Sequence, residues 1–417
     1  MNKGMKMYKI TKSNKLKNVC YDIRGPIFDE AKKLEEEGYR LIKLNIGNPA
    51  PFGFQTPEEI SRDIIRNFSD ADGYSMSNGL FSARKAVMHE CQKKSIKNVD
   101  VEDIFIGNGV SELIGISMQA LLNDGDEILI PSPDYPLWTA SATLAGGKAI
   151  HYRCDEENYW YPNLEDIESK VTKTTKAIVV INPNNPTGSL YPVEILEGII
   201  DIARRHSLII FSDEIYDKIL YSGEHVSIAS LADDLFFVTF NGLSKSYRAA
   251  GYRAGWMILS GEKSQAKDYI EGISMLSNMR LCANVPGQLG IQTALGGFQS
   301  IYELTKKGGR LYEQMNYCYN RLINIPGITC TKPQGALYCF PKIDTQMYQI
   351  DDDSQFIKEL LIETKVLLVQ GSGFNVDTPD HFRIIFLADL ELLAEALDRI
   401  EGYLRKRRAK NLKESNS

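Results

Sequence analysis

Histidine is scarce in this chain, with five in 417 residues. None stands at metal-ligand spacing, so a histidine-based metal centre is not expected. Cysteine occurs an odd number of times, seven, scattered and without a CxxC pair. That pattern argues against a zinc site and a disulfide framework, and reads as buried or free thiols in a reducing cytoplasm. No apolar run approaches the ~20 residues of a membrane span. The lysine-rich stretch 1–18 lacks the apolar centre of a secretion signal. Positive charge is not in excess: 48 Lys and Arg stand against 54 Asp and Glu, a net charge of −6. A phosphate backbone needs a basic face, so nucleic acid is not an expected partner. Internal repeats and low-complexity segments are also missing.

What remains is an ordinary globular composition, 43% hydrophobic and 24% charged. The length exceeds the ~250–300 residues at which one core stops growing, so two domains are expected. The middle of the chain repeats one rhythm: a short β-branched run, a polar or glycine-rich turn, then a helical pattern. The runs 103–106, 127–130, 177–181 and 208–211 all follow it. Continuous apolar strands alternating with helices predict an α/β fold whose parallel sheet is covered on both faces. Ligands bind at the carboxyl ends of such strands. The two ends of the chain read differently, as an α+β unit. Its helices are expected over 26–38, 311–325 and 353–363 and from 390, and its strands over 336–340, near 366–369 and over 382–386. The expected division is a segment 1–50 joining a small domain, a large domain 51–304, and 305–417 completing the small one. The run Arg405-Lys406-Arg407-Arg408 reads as a solvated helix end, and His206 as the polar end of another helix.

The unusual residues collect at the strand ends. Lys245 follows the apolar run 235–240, among small residues. A lysine there is expensive to keep charged and suits a neutral amine that forms a Schiff base; the plain alternative is a surface lysine. Asp213, with Tyr216 shortly after it, also follows a buried strand. It reads either as a helix N-cap or as a carboxylate pairing with a protonated ring nitrogen, the partner pyridoxal phosphate needs to act as an electron sink. Tyr216 would then donate to the ring's phenolic oxygen. Asn185, in Asn184-Asn185-Pro186-Thr187-Gly188, is either turn chemistry or an amide near that oxygen and a substrate carboxylate. Gly109-Val110-Ser111 opens a helical run whose free N–H groups can bind phosphate, and Arg253 can supply the matching cation. Tyr135 is either packing or a ring that stacks on a planar group. Arg383 lies in an apolar strand and wants an anion, either an internal carboxylate or the α-carboxylate of an amino acid.

Taken in this order and spacing, the pieces resemble the class I/II pyridoxal-phosphate aminotransferases of fold type I. The likeness runs from about Leu44 to Tyr403. It rests on Asn185-Pro186-Thr187-Gly188, Asp213-x-x-Tyr216, Ser244-Lys245 with Arg253 and Gly255, Pro333-x-Gly335-Ala336-x-Tyr338, and Arg383. The resemblance implies a large domain with a mostly parallel seven-stranded sheet covered by helices, plus a smaller α+β domain made from both chain ends. It implies that Lys245, Asp213 and Tyr216 are catalytic. Gly109, Val110, Ser111 and Arg253 would hold the phosphate of pyridoxal 5'-phosphate, Tyr135 would stack on its ring, and Asn185 and Tyr216 would reach its ring oxygen. Gly47, Asn185 and Arg383 would meet the substrate. Tyr74 matches the tyrosine that reaches the neighbouring subunit's phosphate, which implies a homodimer with shared active sites. Two positions depart from the pattern. Gly242 stands where many relatives carry serine, and Arg248 where the residue is usually small.

Finer motifs, 21–26, 45–54, 107–114 and 279–284, look like the bacterial glutamate–pyruvate (alanine) aminotransferases. The implied reaction is L-alanine + 2-oxoglutarate giving pyruvate + L-glutamate, by a ping-pong route. The implied partners are amino acids and 2-oxo acids, with no metal, and the implied location is the cytoplasm. Arg24 and Arg280 are candidates for glutamate's second carboxylate, with surface or interface salt bridges as the alternative. A broad-range or aromatic aminotransferase, a C–S lyase and a non-catalytic cofactor-binding regulator stay open as other readings.

Overall fold

The structure, a computed structural model, describes residues 10–19 and 26–414. Its centre is an eight-stranded sheet. Across the sheet the strands run Ile104–Gly107, Gly255–Gly261, Phe236–Gly242, Ile209–Asp213, Thr175–Ile181, Glu127–Ser132, Lys148–Asp155 and Tyr161–Pro162. From Phe236–Gly242 to Lys148–Asp155 every pairing is parallel. Gly255–Gly261 is antiparallel to both its neighbours. The strand beyond the seven implied by resemblance is the two-residue edge piece Tyr161–Pro162, antiparallel to its neighbour.

Side chains alternate between the two sheet faces, and the core divides accordingly. Ile178, Val180, Ile210 and Phe237 belong to one apolar cluster. Ala177, Val179, Ile181, Phe211 and Val238 belong to another on the opposite face. Fully burying a side chain such as Phe211 or Phe237 contributes about 1.5–3 kcal/mol. Two-sided burial explains why these strands read as continuous apolar runs.

A third cluster joins residues far apart in sequence: Ile27, Leu34 and Leu44 pack with Leu322, Leu360, Ile384 and Leu397. Strand Ile42–Lys43 pairs in parallel with Val366–Leu367. Tyr338–Cys339, Phe382–Ile385 and Val369–Gln370 form an antiparallel sheet. Around them lie the helices Pro26–Glu36, Arg310–Ile323, Asp353–Thr364 and Leu390–Glu414. Asp352 caps the third of these by accepting from the N–H groups of Ser354 and Gln355.

The basic run 405–408 is solvated only in part and is not a helix end: Arg405 and Lys406 are exposed, Arg407 and Arg408 half-buried. It lies inside Leu390–Glu414. Arg407 donates to the carbonyls of Tyr348 and Gln349 and to Glu359, 2.5 Å away. A guanidinium has enough donors to join three segments at once, and periodicity does not show those partners. His206 does end its helix, Val193–His206, and meets Glu168 at 2.7 Å. The six described cysteines are free. No described helix is long and apolar enough to cross a membrane.

Candidate active site

The carboxyl ends of the parallel strands open into a cavity of about 380 Å³. Lys245, Asp213, Tyr216, Asn185, Tyr135, Val110, Ser111, Arg253, Gly47 and Arg383 all line it. Gly109 lies immediately behind Val110. Tyr74 does not line it and is 82% exposed.

Both nearby and distant segments hold these residues in place. Asp213 ends a strand whose neighbours are apolar, and only 3% of it is exposed. Its carboxylate accepts from Trp138 Nε1 and from the Ile215 N–H, both at 3.3 Å. The second bond closes a turn; no helix begins there, so Asp213 is not a helix N-cap. Burial pushes its carboxyl up to about 6, with those two bonds and Lys245 pulling the other way and Glu214 adding to the rise. A buried carboxylate in that state favours a cationic neighbour.

The Asn185 loop is shaped by Asn184, whose side-chain oxygen accepts from Thr187 N–H and Oγ1. Gly188 has φ +72°, and a Cβ there would come within 2.8 Å of the Gly335 carbonyl and Pro333. Its own carbonyl accepts from the N–H groups of Gln334 and Gly335. The two motifs therefore meet in space, and only glycine permits so close an approach. Asn185 Oδ1 accepts from Arg383 Nη1 at 2.9 Å, which leaves its amide hydrogens to point elsewhere. Arg383 also donates to the Asn45 carbonyl, and its guanidinium lies 4.5 Å from the Phe374 ring centroid.

Lys245 follows the buried strand Phe236–Gly242, and its Nζ donates to the Gly47 carbonyl at 2.7 Å. Gly242 is a packing requirement: a Cβ would stand 2.9 Å from the Ala254 carbonyl and 3.0 Å from Gly255 Cα. Arg248 adopts φ +56° and donates to the Gln55 and Ser246 carbonyls and to Ser300 Oγ. It ties the lysine loop to distant segments.

Pyridoxal phosphate can be tested against these residues. Helix Val110–Leu121 begins at the cavity, and its first N–H groups have no intrahelical acceptor. A Cβ at Gly109 would lie 2.3 Å from Arg253 Nη2, and one at Gly255 would lie 2.8 Å from the Val110 nitrogen. Two glycines thus keep a guanidinium and a helix start together, a donor set suited to a phosphate. The buried acid suits a protonated ring nitrogen, the amine suits an aldehyde, and Tyr135 offers a ring face. The residues fit the cofactor.

Two arginine expectations fare differently. Arg280 does not line the cavity. Its guanidinium is engaged by Glu112 at 2.6 Å and by the Ser77 carbonyl at 2.7 Å, so it is not placed to receive a substrate carboxylate. Arg24 lies outside the described residues. Sequence reasoning assigned no role to Trp138 or Tyr338. Tyr338 was visible in the Pro333-x-Gly335 motif, and Trp138 lies close behind Tyr135, but their bonds to Asp213 and Tyr216 span long sequence separations.

Comparison with known proteins agrees with this geometry. The family model for aminotransferase class I and II matches residues 39–400. Glutamate-pyruvate aminotransferase AlaA of Escherichia coli (strain K12) is 59% identical over 399 residues, covering 95% of this chain and 98% of that protein. Alanine aminotransferase of Mycobacterium tuberculosis (strain H37Rv) is 55% identical over 394 residues, covering 94% and 92%. The solved alanine aminotransferase of Pyrococcus furiosus superposes with a TM-score of 0.90 at 39% identity, covering 95% of this chain and 100% of that one.

Proposed function

Because the chain belongs to the class I and II aminotransferases, we propose that it is an alanine transaminase converting L-alanine and 2-oxoglutarate to pyruvate and L-glutamate. Enzymes of this family depend on pyridoxal 5'-phosphate, and that is its cofactor. The observation that carries the reading is the union, in one cavity, of an amine, a buried acid, an arginine in an apolar strand and a helix start. The names of relatives at 59% and 55% identity supply the donor.

When bound, the cofactor supplies an aldehyde carbon for an amine and a ring that takes up the electron pair left as the α-proton departs. The protein's own residues do the rest. Val110, Ser111 and Arg253, with Gly109 giving them room, would hold the phosphate. Asp213 would hold the proton on the ring nitrogen, and that cation would in turn keep its carboxylate charged. Asn185 and Tyr216 would donate to the ring oxygen, and Tyr135 would cover the ring face. Arg383 binds the α-carboxylate of the amino acid in a two-pronged contact. Gly47 bounds the substrate side and tethers Lys245 through its carbonyl. Lys245 Nζ takes the proton from the substrate's α-carbon, and the apolar walls exclude water while it does so.

The donor assignment is tested by steady-state kinetics on a panel of L-alanine, L-aspartate and L-tyrosine with 2-oxoglutarate as acceptor. Alanine is expected to give the highest kcat/KM, with parallel double-reciprocal lines. A preference for aspartate or tyrosine would contradict it.

The same reading extends to assembly and place. The chain is a homodimer with shared sites, in which Tyr74 reaches the partner's phosphate, and it works in the cytoplasm. Support for the dimer comes from exposed apolar side chains: Phe68, Tyr74, Met76, Phe81, Met279 and Leu281 are all more than half exposed. Sedimentation equilibrium is expected to read the mass of two chains; a single-chain mass would rule the dimer out. We propose also that 51–304 form the large domain and that 1–50 and 305–417 form the small one. The core cluster shared by Leu44, Leu360 and Leu397 supports that division.

A further inference from the structure

Two phenols meet at the side of the cavity. Tyr216 and Tyr338 are each 2% exposed, and their hydroxyl oxygens stand 2.5 Å apart. The rings meet edge to face, with centroids 5.8 Å apart at 81°. Tyr338 is confined on its other sides. The Arg383 guanidinium lies 4.4 Å from its ring centroid, and a Cβ on Gly47 would come within 2.5 Å of its hydroxyl oxygen. Its hydroxyl is therefore fixed against Tyr216 and has little room to turn.

A phenol carries one hydrogen and two lone pairs. Two hydroxyls at this distance share one hydrogen between them, so only one of the pair keeps a hydrogen to give elsewhere. If Tyr216 gives its hydrogen to the ring oxygen of the cofactor, Tyr338 must give its own to Tyr216. The order of donation is then Tyr338 to Tyr216 to ring oxygen. Burial holds the Tyr216 hydroxyl well above its ordinary range, so it stays a neutral donor at working pH. A hydrogen bond that accepts at one end and donates at the other is strengthened along the chain.

From this geometry we infer that Tyr338 is a positioning residue that acts through Tyr216: it commits the Tyr216 hydrogen to the cavity and strengthens its bond to the ring oxygen. The inference rests on the reading that Tyr216 meets that oxygen. Tyr338 itself need touch neither cofactor nor substrate for this role.

The test is a pH titration of the absorbance of the cofactor-loaded protein, without substrate, for wild type, Tyr338→Phe, Tyr216→Phe and the double variant. Losing a donor leaves the ring oxygen more basic, so the pair formed by that oxygen and the nitrogen at Lys245 holds its proton to higher pH. Tyr216→Phe is expected to raise the midpoint by about one unit. Tyr338→Phe should raise it by about 0.2 unit, since one bond polarising the next alters it by about a fifth. The double variant should match Tyr216→Phe, because Tyr338 has no other route to the oxygen. A fluorinated tyrosine at 338, a stronger donor, should lower the midpoint, and it keeps the test available if Tyr338→Phe does not fold. A midpoint unmoved by Tyr338→Phe, or moved equally with and without the Tyr216 hydroxyl, overturns the relay and leaves the assignment of Tyr216 standing. A midpoint unmoved by Tyr216→Phe overturns both.

Discussion

Lys245→Ala is expected to lower kcat for the alanine reaction by at least about 10^4-fold, because it removes a nucleophile and a proton carrier at once. Lys245 is the one lysine among the described residues that line the cavity. Asn185, Tyr216 and Arg383, its neighbours there, lack a basic amine. No described group stands ready to take over its work. Its Nζ has one backbone partner, the Gly47 carbonyl at 2.7 Å, so truncation breaks no ion pair and leaves the strand Phe236–Gly242 intact. The variant should fold with an unchanged melting curve. It should bind pyridoxal phosphate without a covalent link, so that borohydride followed by peptide mapping finds no cofactor mass on the segment that carries position 245. Turnover within tenfold of wild type would remove Lys245 from the mechanism.

Asp213→Asn should cost roughly 10^2–10^3-fold in kcat, the loss seen when one preorganised charge-stabilising group is deleted. The amide keeps the shape, but Trp138 and Ile215 bond different oxygens of the carboxylate, so its single oxygen can accept from only one of them, and it carries no charge to hold a proton on the ring nitrogen. A pH measurement separates this from simple damage to the pocket. In the wild type, cofactor affinity should weaken as pH falls below about 6, where burial has placed the Asp213 carboxyl. Protonation there removes the partner of the ring cation. In Asp213→Asn that dependence should vanish. For folding of the cofactor-free protein the sign is the reverse. The folded value is raised from 3.8 to about 6, so the stability this group contributes is present below about 4 and is lost as pH rises through about 6. Equal turnover in Asp213→Asn and wild type would sink the assignment.

Much of this arrangement can be read from the chain because strand ends are local features. An apolar run followed by Asp213, by the Asn185 turn or by Lys245 announces both the strand and the edge where ligands collect. The residues that hold the site are harder to read, since their partners lie far away in sequence. Trp138 bonds Asp213 from the helix Leu137–Leu144, which follows another strand. Tyr338 reaches Tyr216 from a strand in the C-terminal third of the chain. Arg280 shows the same limit from the other side: an arginine near a motif looks available until its Glu112 partner is seen. The glycine at 242 stood out as a departure from the serine of many relatives, but its neighbours Ala254 and Gly255 leave no room for a larger residue. Arg407 looked solvated because charge and helical period say nothing about the carbonyls of Tyr348 and Gln349.

A single turnover is the most direct test of the chemistry assigned to this cavity. Purified protein loaded with pyridoxal phosphate is mixed with excess L-alanine in the absence of any 2-oxo acid. About one pyruvate is expected per bound cofactor, as ping-pong transfer requires, with the absorbance restored and one glutamate formed when 2-oxoglutarate is then added. Loaded protein that releases no pyruvate from alanine would contradict it.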